Sequence, residues 1–337
     1  MQIEKFISVG ENIHCTRSYK VGGKFVKECD RAPVIEYKVG DEIRHLTIPS
    51  NFVESPDWES GKVRHCAVAV WQGNYGDEKA KAAAVDYLQN LAKRQQASGA
   101  TYLDLNVDEF SMDTDERVKI MKWLVETVQQ SVSIPMSIDS SNIDILRAGL
   151  EVCDKSRSKP MLNSVSLERP DGIKLAEEYG AVVIASAAGE NDLPTTVEGR
   201  ITNLEKLMPL LSEAGLVHDD IHIDPLCFPI ATDGNNGKSF LDSIEAIIAK
   251  YGTDIHFAAG LSNISFGMPN RKLITQAFTY LMVKVGGDGG IVDPFQINVD
   301  ILNSMDTESE GFKLAKALLM GEDEFGMNFI TAHRKNL

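Results

Sequence analysis

Residues 135–142 read PMSIDSSN, a short apolar run that ends in the polar residues Asp139 and Asn142. The same arrangement recurs in ISVGEN at 7–12, YLDLNV at 102–107, MLNSV at 161–165, IHIDPL at 221–226 and GLSN at 260–263. In a parallel β/α barrel the carboxyl ends of all strands emerge on one face, where loops build the active site. The repeated pattern therefore predicts one shared site of Asp, Asn and Ser side chains at the mouth of such a barrel.

Eight apolar runs of strand length alternate with amphipathic helical patterns. The strands are predicted at about 6–13, 102–107, 135–139, 161–165, 181–186, 221–226, 256–261 and 289–293. The helices are predicted at about 78–98, 115–131, 142–152, 168–179, 196–215, 239–250, 270–285 and 307–320. Continuous apolar runs are typical of strands buried on both faces. Eight alternations in 337 residues favour a single (β/α)8 TIM-barrel domain over 1–337.

Residues 15–75 interrupt this alternation, because they are far longer than a usual βα loop of about 2–6 residues. Within them, APVIEYKVG at 32–40 and EIRHLTIPS at 42–50 predict two strands around Gly40 and Asp41. We expect an inserted hairpin with an irregular loop after the first strand, near the barrel mouth. Its role as a lid, a dimer contact, a partner surface or plain surface decoration is left open.

Composition and charge argue against several classes of protein. The formal net charge of -15 argues against nucleic-acid binding, which normally requires a basic surface. Five widely spaced cysteines without a CxxC pair indicate reduced thiols in the cytoplasm. We expect no secretory signal, and no run approaches the roughly 18 apolar residues that a membrane span requires.

The polar strand ends are suited to a heterocyclic ligand. They comprise the carboxylates Asp104, Asp139 and Asp224 and the amides Asn106, Asn142, Asn163 and Asn263. Carboxylates accept hydrogen bonds and amides both donate and accept, as a 2-amino-4-oxo pteridine with several N–H donors requires. Carboxylates could instead bind Mg²⁺ or Ca²⁺, but the amides outnumber them and His14 is the lone strand-end histidine. The pairs His14–Cys15 and His65–Cys66 lack the spacing of a zinc site, so we expect no metal.

Six motifs, in order, resemble those of a known family. They are GEN at 10–12, LDLNV at 103–107, IDSSN at 138–142, LNS at 162–164, IDPL at 223–226 and GLSNISFGMPNR at 260–271. Together they resemble the pterin-binding methyltransferases, and more narrowly the methyltetrahydrofolate:corrinoid-protein methyltransferases and the folate-binding domain of cobalamin-dependent methionine synthase. The resemblance covers approximately residues 1–14 and 76–337.

Carried over position by position, the resemblance implies that Asp139, Asn163 and Asp224 hydrogen-bond the pterin ring. Asn263 would approach N5, the nitrogen that carries the methyl group. A hydrogen bond from Asn263 that is stronger in the transition state than in the ground state would raise the rate of methyl transfer.

The resemblance assigns supporting roles to five further residues. Asp104 and Asn106 would support the pocket floor, although Asp104 could equally be a structural cap of the barrel mouth. Asn12 and Ser265 are candidates for the rim. Arg271 would bind an anion or a hydrogen-bond network, or would stabilise its own loop by a salt bridge.

The implied reaction moves a methyl group between N5 of tetrahydrofolate, as 5-methyltetrahydrofolate, and the cobalt of a corrinoid, in a direction that the sequence leaves open. Because the chain has no DxHxxG motif, the corrinoid (cobalamin) would be carried by a separate partner protein. The resemblance also implies a homodimer. The alternatives are a dihydropteroate synthase-like pterin enzyme, whose motifs differ from GLSNISFGMPNR and ISVGENIHC, and a non-catalytic folate-binding protein.

Overall fold

The computed structural model describes residues 2–29 and 31–335. Within them, eight strands form one sheet with parallel pairings. In spatial order they are His256–Phe257, Ile221–Asp224, Val182–Ser186, Met161–Val165, Met136–Asp139, Tyr102–Asn106, Ile7–His14 and Gly289–Val292. A parallel bridge from Gly260 to Ile291 brings the two ends of this order together, so the barrel nearly closes. The predicted (β/α)8 TIM barrel is confirmed.

Helices alternate with these strands at the predicted positions. They span Glu78–Ala97, Thr114–Gln129, Ile143–Glu151, Asp171–Tyr179, Val197–Glu213, Asn236–Tyr251, Arg271–Lys284 and Glu310–Leu319. The prediction did not include Ser50–Val53, Pro56–Glu59, His65–Tyr75, Val299–Asn303 and Met327–Arg334. In the described part of the chain, no helix has both the length and the apolar character that a membrane crossing requires.

Residue contacts divide the chain into two compact units. The first unit comprises Met1–Gly10, Ser98–Tyr102 and Met161–Leu337, and the second comprises Glu11–Ala97 and Leu103–Pro160. The assignment of 1–337 to a single domain stays a prediction.

Local capping fixes the helices that follow the strands. In the second unit, the side chain of Asn142 accepts hydrogen bonds from the amides of Asp144 and Ile145, which begins the helix Ile143–Glu151. In the first unit, Asp171–Tyr179 ends at Gly180, whose φ of 62° is the left-handed conformation that glycine adopts without strain. These caps set where the chain leaves one strand and returns to the next.

The inserted hairpin is present as predicted. Val34–Val39 and Glu42–Thr47 pair antiparallel around Gly40 and Asp41, and Val26–Lys27 adds a third strand. Residue 30 of the predicted insertion lies outside the described residues. The position of the insertion near the barrel mouth stays a prediction.

The prediction that the rest of the insertion is an irregular loop was wrong. Ser18–Lys20 pairs with Lys62–Arg64, and His65–Tyr75 is a helix with eight buried residues. A helix that is buried on most of its circumference lacks the apolar and polar faces by which a sequence reveals it. Its short apolar run therefore gave no helical periodicity to detect.

Gly149 provides a test of how the helix Ile143–Glu151 packs on the strand Met136–Asp139. A Cβ at Gly149 would lie 2.6 Å from Cγ2 of Ile138, next to Asp139. Gly149→Ala should lower the free energy of unfolding by about 1–2 kcal/mol, because overpacking outweighs the better helix propensity of alanine. Urea denaturation measures this change.

A double-mutant cycle with Ile138→Ala is the control. If the clash with Ile138 is the cause, Gly149→Ala should cost clearly less in the Ile138→Ala background than in the wild type. Equal costs in both backgrounds would contradict the packing explanation.

Candidate functional site

A cluster of buried and half-buried polar side chains in the second unit lies on three neighbouring strands. Nε2 of His14 is 2.9 Å from Oδ2 of Asp104, which is fully buried. Nδ2 of Asn106 donates to Oδ2 of Asp139 at 2.8 Å. Sequence reasoning grouped Asp104, Asn106 and Asp139 and set His14 aside as a lone histidine, whereas the structure makes His14 the partner of Asp104.

The electrostatics of this cluster follow from its burial. The pKa of Asp139 is raised to about 7, mainly because burial disfavours the charged carboxylate and, to a lesser extent, because Asp104 is negatively charged. Burial disfavours the imidazolium of His14, yet its hydrogen bond to Asp104 and nearby negative charges raise its pKa above 6.5. The hydrogen bond to Asp104 thus favours the protonated form of His14, and Asp139 can gain or lose a proton near neutral pH.

His14, Asp104 and Asp139 are also the described residues whose arrangement could hold a metal ion. Each offers one ligand atom, and these atoms lie within 4.8 Å of one another. The hydrogen bonds from His14 to Asp104 and from Asn106 to Asp139 account for this proximity without an ion. The expectation of no metal stays a prediction.

Asp108 organises the loop that follows Asp139, and sequence reasoning missed it. Oγ of Ser140 donates to Asp108 at 2.5 Å, and the amide and hydroxyl of Ser141 donate at 2.9 and 3.0 Å. With Asn142 used as a helix cap, the residues after Asp139 in the IDSSN motif are structural. They fix the loop that carries Asp139.

In the first unit, Asp224 ends the strand Ile221–Asp224. Burial raises its pKa to about 6, although the amide of Leu226 and the charge of Arg200 act in the opposite direction. The amide of Leu226 donates to Oδ1 of Asp224 at 2.9 Å. Asp224 is therefore a half-buried acceptor whose charge is only partly compensated.

Arg200 is the buried cation near Asp224, and nothing in the local sequence marks it. It lies within the helix Val197–Glu213 and is fully buried. Its guanidinium donates to the hydroxyls of Ser239 and Ser243 at 2.7 and 3.0 Å and to the carbonyl of Leu226 at 3.2 Å. These bonds fix a positive charge beneath the loop that follows Asp224.

Asn163 and Asn263 differ in their surroundings. Asn163 lies half-buried in the strand Met161–Val165, before a cis peptide bond to Ser164. Asn263 is exposed in the 3₁₀ helix Leu261–Ser265. Among the described residues, the side-chain amide of Asn263 has no hydrogen-bond partner, so its donor and acceptor groups are available to a ligand.

Ser265 and Arg271 serve the loop that carries Asn263. Ser265 is completely buried, and its hydroxyl donates to the carbonyl of Ser262 at 3.0 Å. Nε of Arg271 donates to this hydroxyl at 3.2 Å, and Nη2 donates to the carbonyl of Ser262 at 3.0 Å. Ser265 thus lies inside the loop and not at a rim, and Arg271 stabilises the loop by hydrogen bonds to neutral groups.

Asn12, the other rim candidate, lies half-buried in the strand Ile7–His14. Its backbone amide donates to Oε1 of Gln95 at 3.2 Å. Its carbonyl accepts from the thiol of Cys66 at 3.3 Å. The backbone of Asn12 is therefore part of the packing of the second unit.

Comparisons with a family model and with known proteins agree on one family. A family model described as pterin binding enzyme matches residues 76–293. The chain is 32% identical over 216 residues to the methylcorrinoid:tetrahydrofolate methyltransferase of Eubacterium limosum, covering 62% of this chain and 76% of that protein. It is 32% identical over 230 residues to the methionine synthase of Mycobacterium tuberculosis, covering 64% of this chain and 19% of that protein.

A solved structure supports the fold. The dihydropteroate synthase from Xanthomonas albilineans in complex with 7,8-dihydropteroate has a TM-score of 0.53 at 18% identity, over 68% of this chain and 85% of that one. At this identity the likeness shows the barrel alone. The family model, in contrast, matches well over half of the sequence, and the chain belongs to the pterin-binding enzyme family, as its motifs predict.

Proposed function

We propose that this protein is a methyltransferase that moves a methyl group between N5 of tetrahydrofolate and the cobalt of a corrinoid protein. The observation that carries the proposal is the exposed amide of Asn263, which has no hydrogen-bond partner among the described residues. The match over 76% of a methylcorrinoid:tetrahydrofolate methyltransferase supports the same reaction class. The proposal leaves the direction of transfer open.

Asp139 and Asp224 are proposed to accept hydrogen bonds from the N–H groups of the pterin ring, with Asn163 as a further contact. Both carboxyls are half-buried and incompletely compensated by the protein, which supports this role. A ligand with N–H donors would stabilise their ionised forms. Asn106 orients Asp139 through its 2.8 Å hydrogen bond. Asp104 has a supporting role, because it hydrogen-bonds His14 and its charge acts on Asp139.

Asn263 is proposed to act on the reacting atom. Cleavage of the bond between N5 and the methyl carbon leaves the electron pair of that bond on N5, so N5 must gain a proton, which would come through water or the wider hydrogen-bond network because an amide is not an acid. The amide of Asn263 would donate a hydrogen bond to N5 as this electron pair develops. When bound, the corrinoid of the partner protein would supply the cobalt centre that exchanges the methyl group.

Loss of either carboxylate should weaken folate binding. Asp139→Asn or Asp224→Asn should reduce the affinity for tetrahydrofolate by about 1–3 kcal/mol, or about 5- to 150-fold, because mispaired polar groups remain buried. Isothermal titration at about pH 8 measures this, where wild-type carboxylates are ionised. Asp144→Asn, on an exposed position of the next helix, is the matched control. Unchanged titrations in both variants would remove these residues from the pocket.

Folate binding should strengthen as the pH rises. Below their pKa values of about 7 and about 6, Asp139 and Asp224 are protonated and lose accepting capacity towards the ring N–H groups. The dissociation constant should fall between about pH 5.5 and about pH 8.5, and Asp139→Asn should remove the part of the change centred near 7. Titrations in a buffer series of constant ionic strength measure this. A flat profile in the wild type would contradict the assigned role of the carboxyls.

Asn263→Ala should slow methyl transfer far more than it weakens folate binding. Loss of one donor that acts mainly in the transition state typically costs about 10²–10³-fold in rate. Single-turnover transfer between 5-methyltetrahydrofolate and free cob(I)alamin, or in reverse from methylcobalamin, measures the rate, and titration measures affinity. Ser262→Ala in the same loop is the control.

Equal losses of rate and affinity in Asn263→Ala would make Asn263 a binding residue only. Tight folate binding by the wild type without transfer in either direction would favour a non-catalytic folate-binding protein. Condensation of a pterin pyrophosphate with p-aminobenzoate would favour the dihydropteroate synthase-like alternative.

A further inference from the structure

A cavity of about 540 Å³ lies in the second unit. Its lining residues do not include the strand-end side chains described above. The inserted segment supplies one part of its lining, including Tyr19, Phe25 and Tyr37, and the helix Glu78–Ala97 supplies the other, including Tyr87 and Arg94. Its volume is within the range of about 300–1,000 Å³ that is usual for small-molecule sites. We call it the hairpin cavity.

Stacked aromatic rings form one wall of the hairpin cavity. The centroids of Tyr19 and Phe25 are 4.7 Å apart, and Tyr19 stacks on the buried ring of His65 at 3.9 Å. Nδ1 of His65 is 2.8 Å from the hydroxyl of Tyr87, and burial lowers the pKa of His65 to about 3. The wall is therefore uncharged at neutral pH, and its inner rings are fixed by hydrogen bonds.

The hairpin itself is anchored to the helix Glu78–Ala97, which supplies the other lining residues. The hydroxyl of Tyr37 donates to Asp86 at 2.7 Å, and Nη1 of Arg44 donates to the same carboxylate at 2.6 Å. Nδ2 of Asn90 donates to the carbonyl of Lys38 at 3.0 Å. These bonds link the hairpin to the helix without a ligand, and such preorganisation lowers the entropic cost of binding.

The charged residues at the hairpin cavity are mainly basic. Lys24, Lys38 and Arg94 line it, and among the described lining residues Glu36 is the single acidic one, so the formal charge of the lining is +2. The whole chain has a net charge of -15. Nζ of Lys24 already lies 5.2 Å from the centroid of the Phe25 ring. A local basic group over an aromatic wall would concentrate small anions that the rest of the surface repels.

We propose that the hairpin cavity binds a planar aromatic anion, a ring system that bears a carboxylate or sulfonate-like group. The ring would pack on Tyr19 and Phe25, and the anionic group would face Lys24, Lys38 and Arg94. A ring without charge would lose the ionic contacts, and an aliphatic anion would lose the stacking. This site is independent of the proposed methyl transfer.

The fluorescent probe 1-anilinonaphthalene-8-sulfonate tests the proposal on the full chain. Its fluorescence should rise on binding, naphthalene-2-carboxylate should displace it, and hexanoate should not. The double variant Lys24→Gln/Arg94→Gln should weaken probe binding by about fivefold or more, because two ionic contacts are lost. Phe25→Ser should weaken it through loss of stacking.

The matched control is Lys20→Gln/Lys93→Gln. It also removes two positive charges, but from Lys20 and Lys93, which are exposed and do not line the cavity. It should therefore leave probe binding unchanged. Equal weakening by both double variants would overturn the proposal in favour of diffuse electrostatic attraction. Displacement of the probe by tetrahydrofolate would place it in the folate site, and absence of binding would also overturn the proposal. None of these results would affect the methyl-transfer proposal.

Discussion

A barrel of parallel strands has an apolar interior, and this constraint decides where its polar chemistry can lie. The core of the first unit is packed by Val9, Met161, Val182, Ile184 and Ala258. Strands that are buried on both faces leave polar side chains to the strand ends, where loops and ligands can satisfy them. A carboxylate at a strand end has lost part of its hydration, so hydrogen-bond donors or a nearby positive charge must stabilise it.

The two units meet this need in different ways. In the second unit, His14 pairs with Asp104, while Asp139 receives a hydrogen bond from Asn106. In the first unit, a backbone amide and the charge of Arg200 serve Asp224. Neither Asp139 nor Asp224 is fully compensated, so their pKa values lie near neutrality. Such incomplete compensation costs stability in the free protein and favours a ligand that brings its own N–H donors.

The sequence predicted those features that depend on local pattern. Apolar runs and helical periodicity located the strands and the helices that alternate with them, and Gly40 with Asp41 located the hairpin turn. Partners that are distant in sequence were not predictable: His14 and Asp104 are 90 positions apart, and Arg200 lies within an ordinary helical pattern. Asn106, Asp139 and Asp224 end their strands, whereas Asn263 lies in a 3₁₀ helix. A motif also cannot tell a ligand contact from a helix cap, as at Asn142.

The short ladder between Ser18–Lys20 and Lys62–Arg64 has a consequence for how this protein can be varied. Its strands run antiparallel, and the amide of Val21 bonds to the carbonyl of Gly61 at 2.9 Å. The chain therefore leaves and re-enters this ladder at adjacent points. Residues 21–61 are thus an insertion whose two ends meet at this ladder. This insertion can therefore vary in sequence separately from the strands of the barrel.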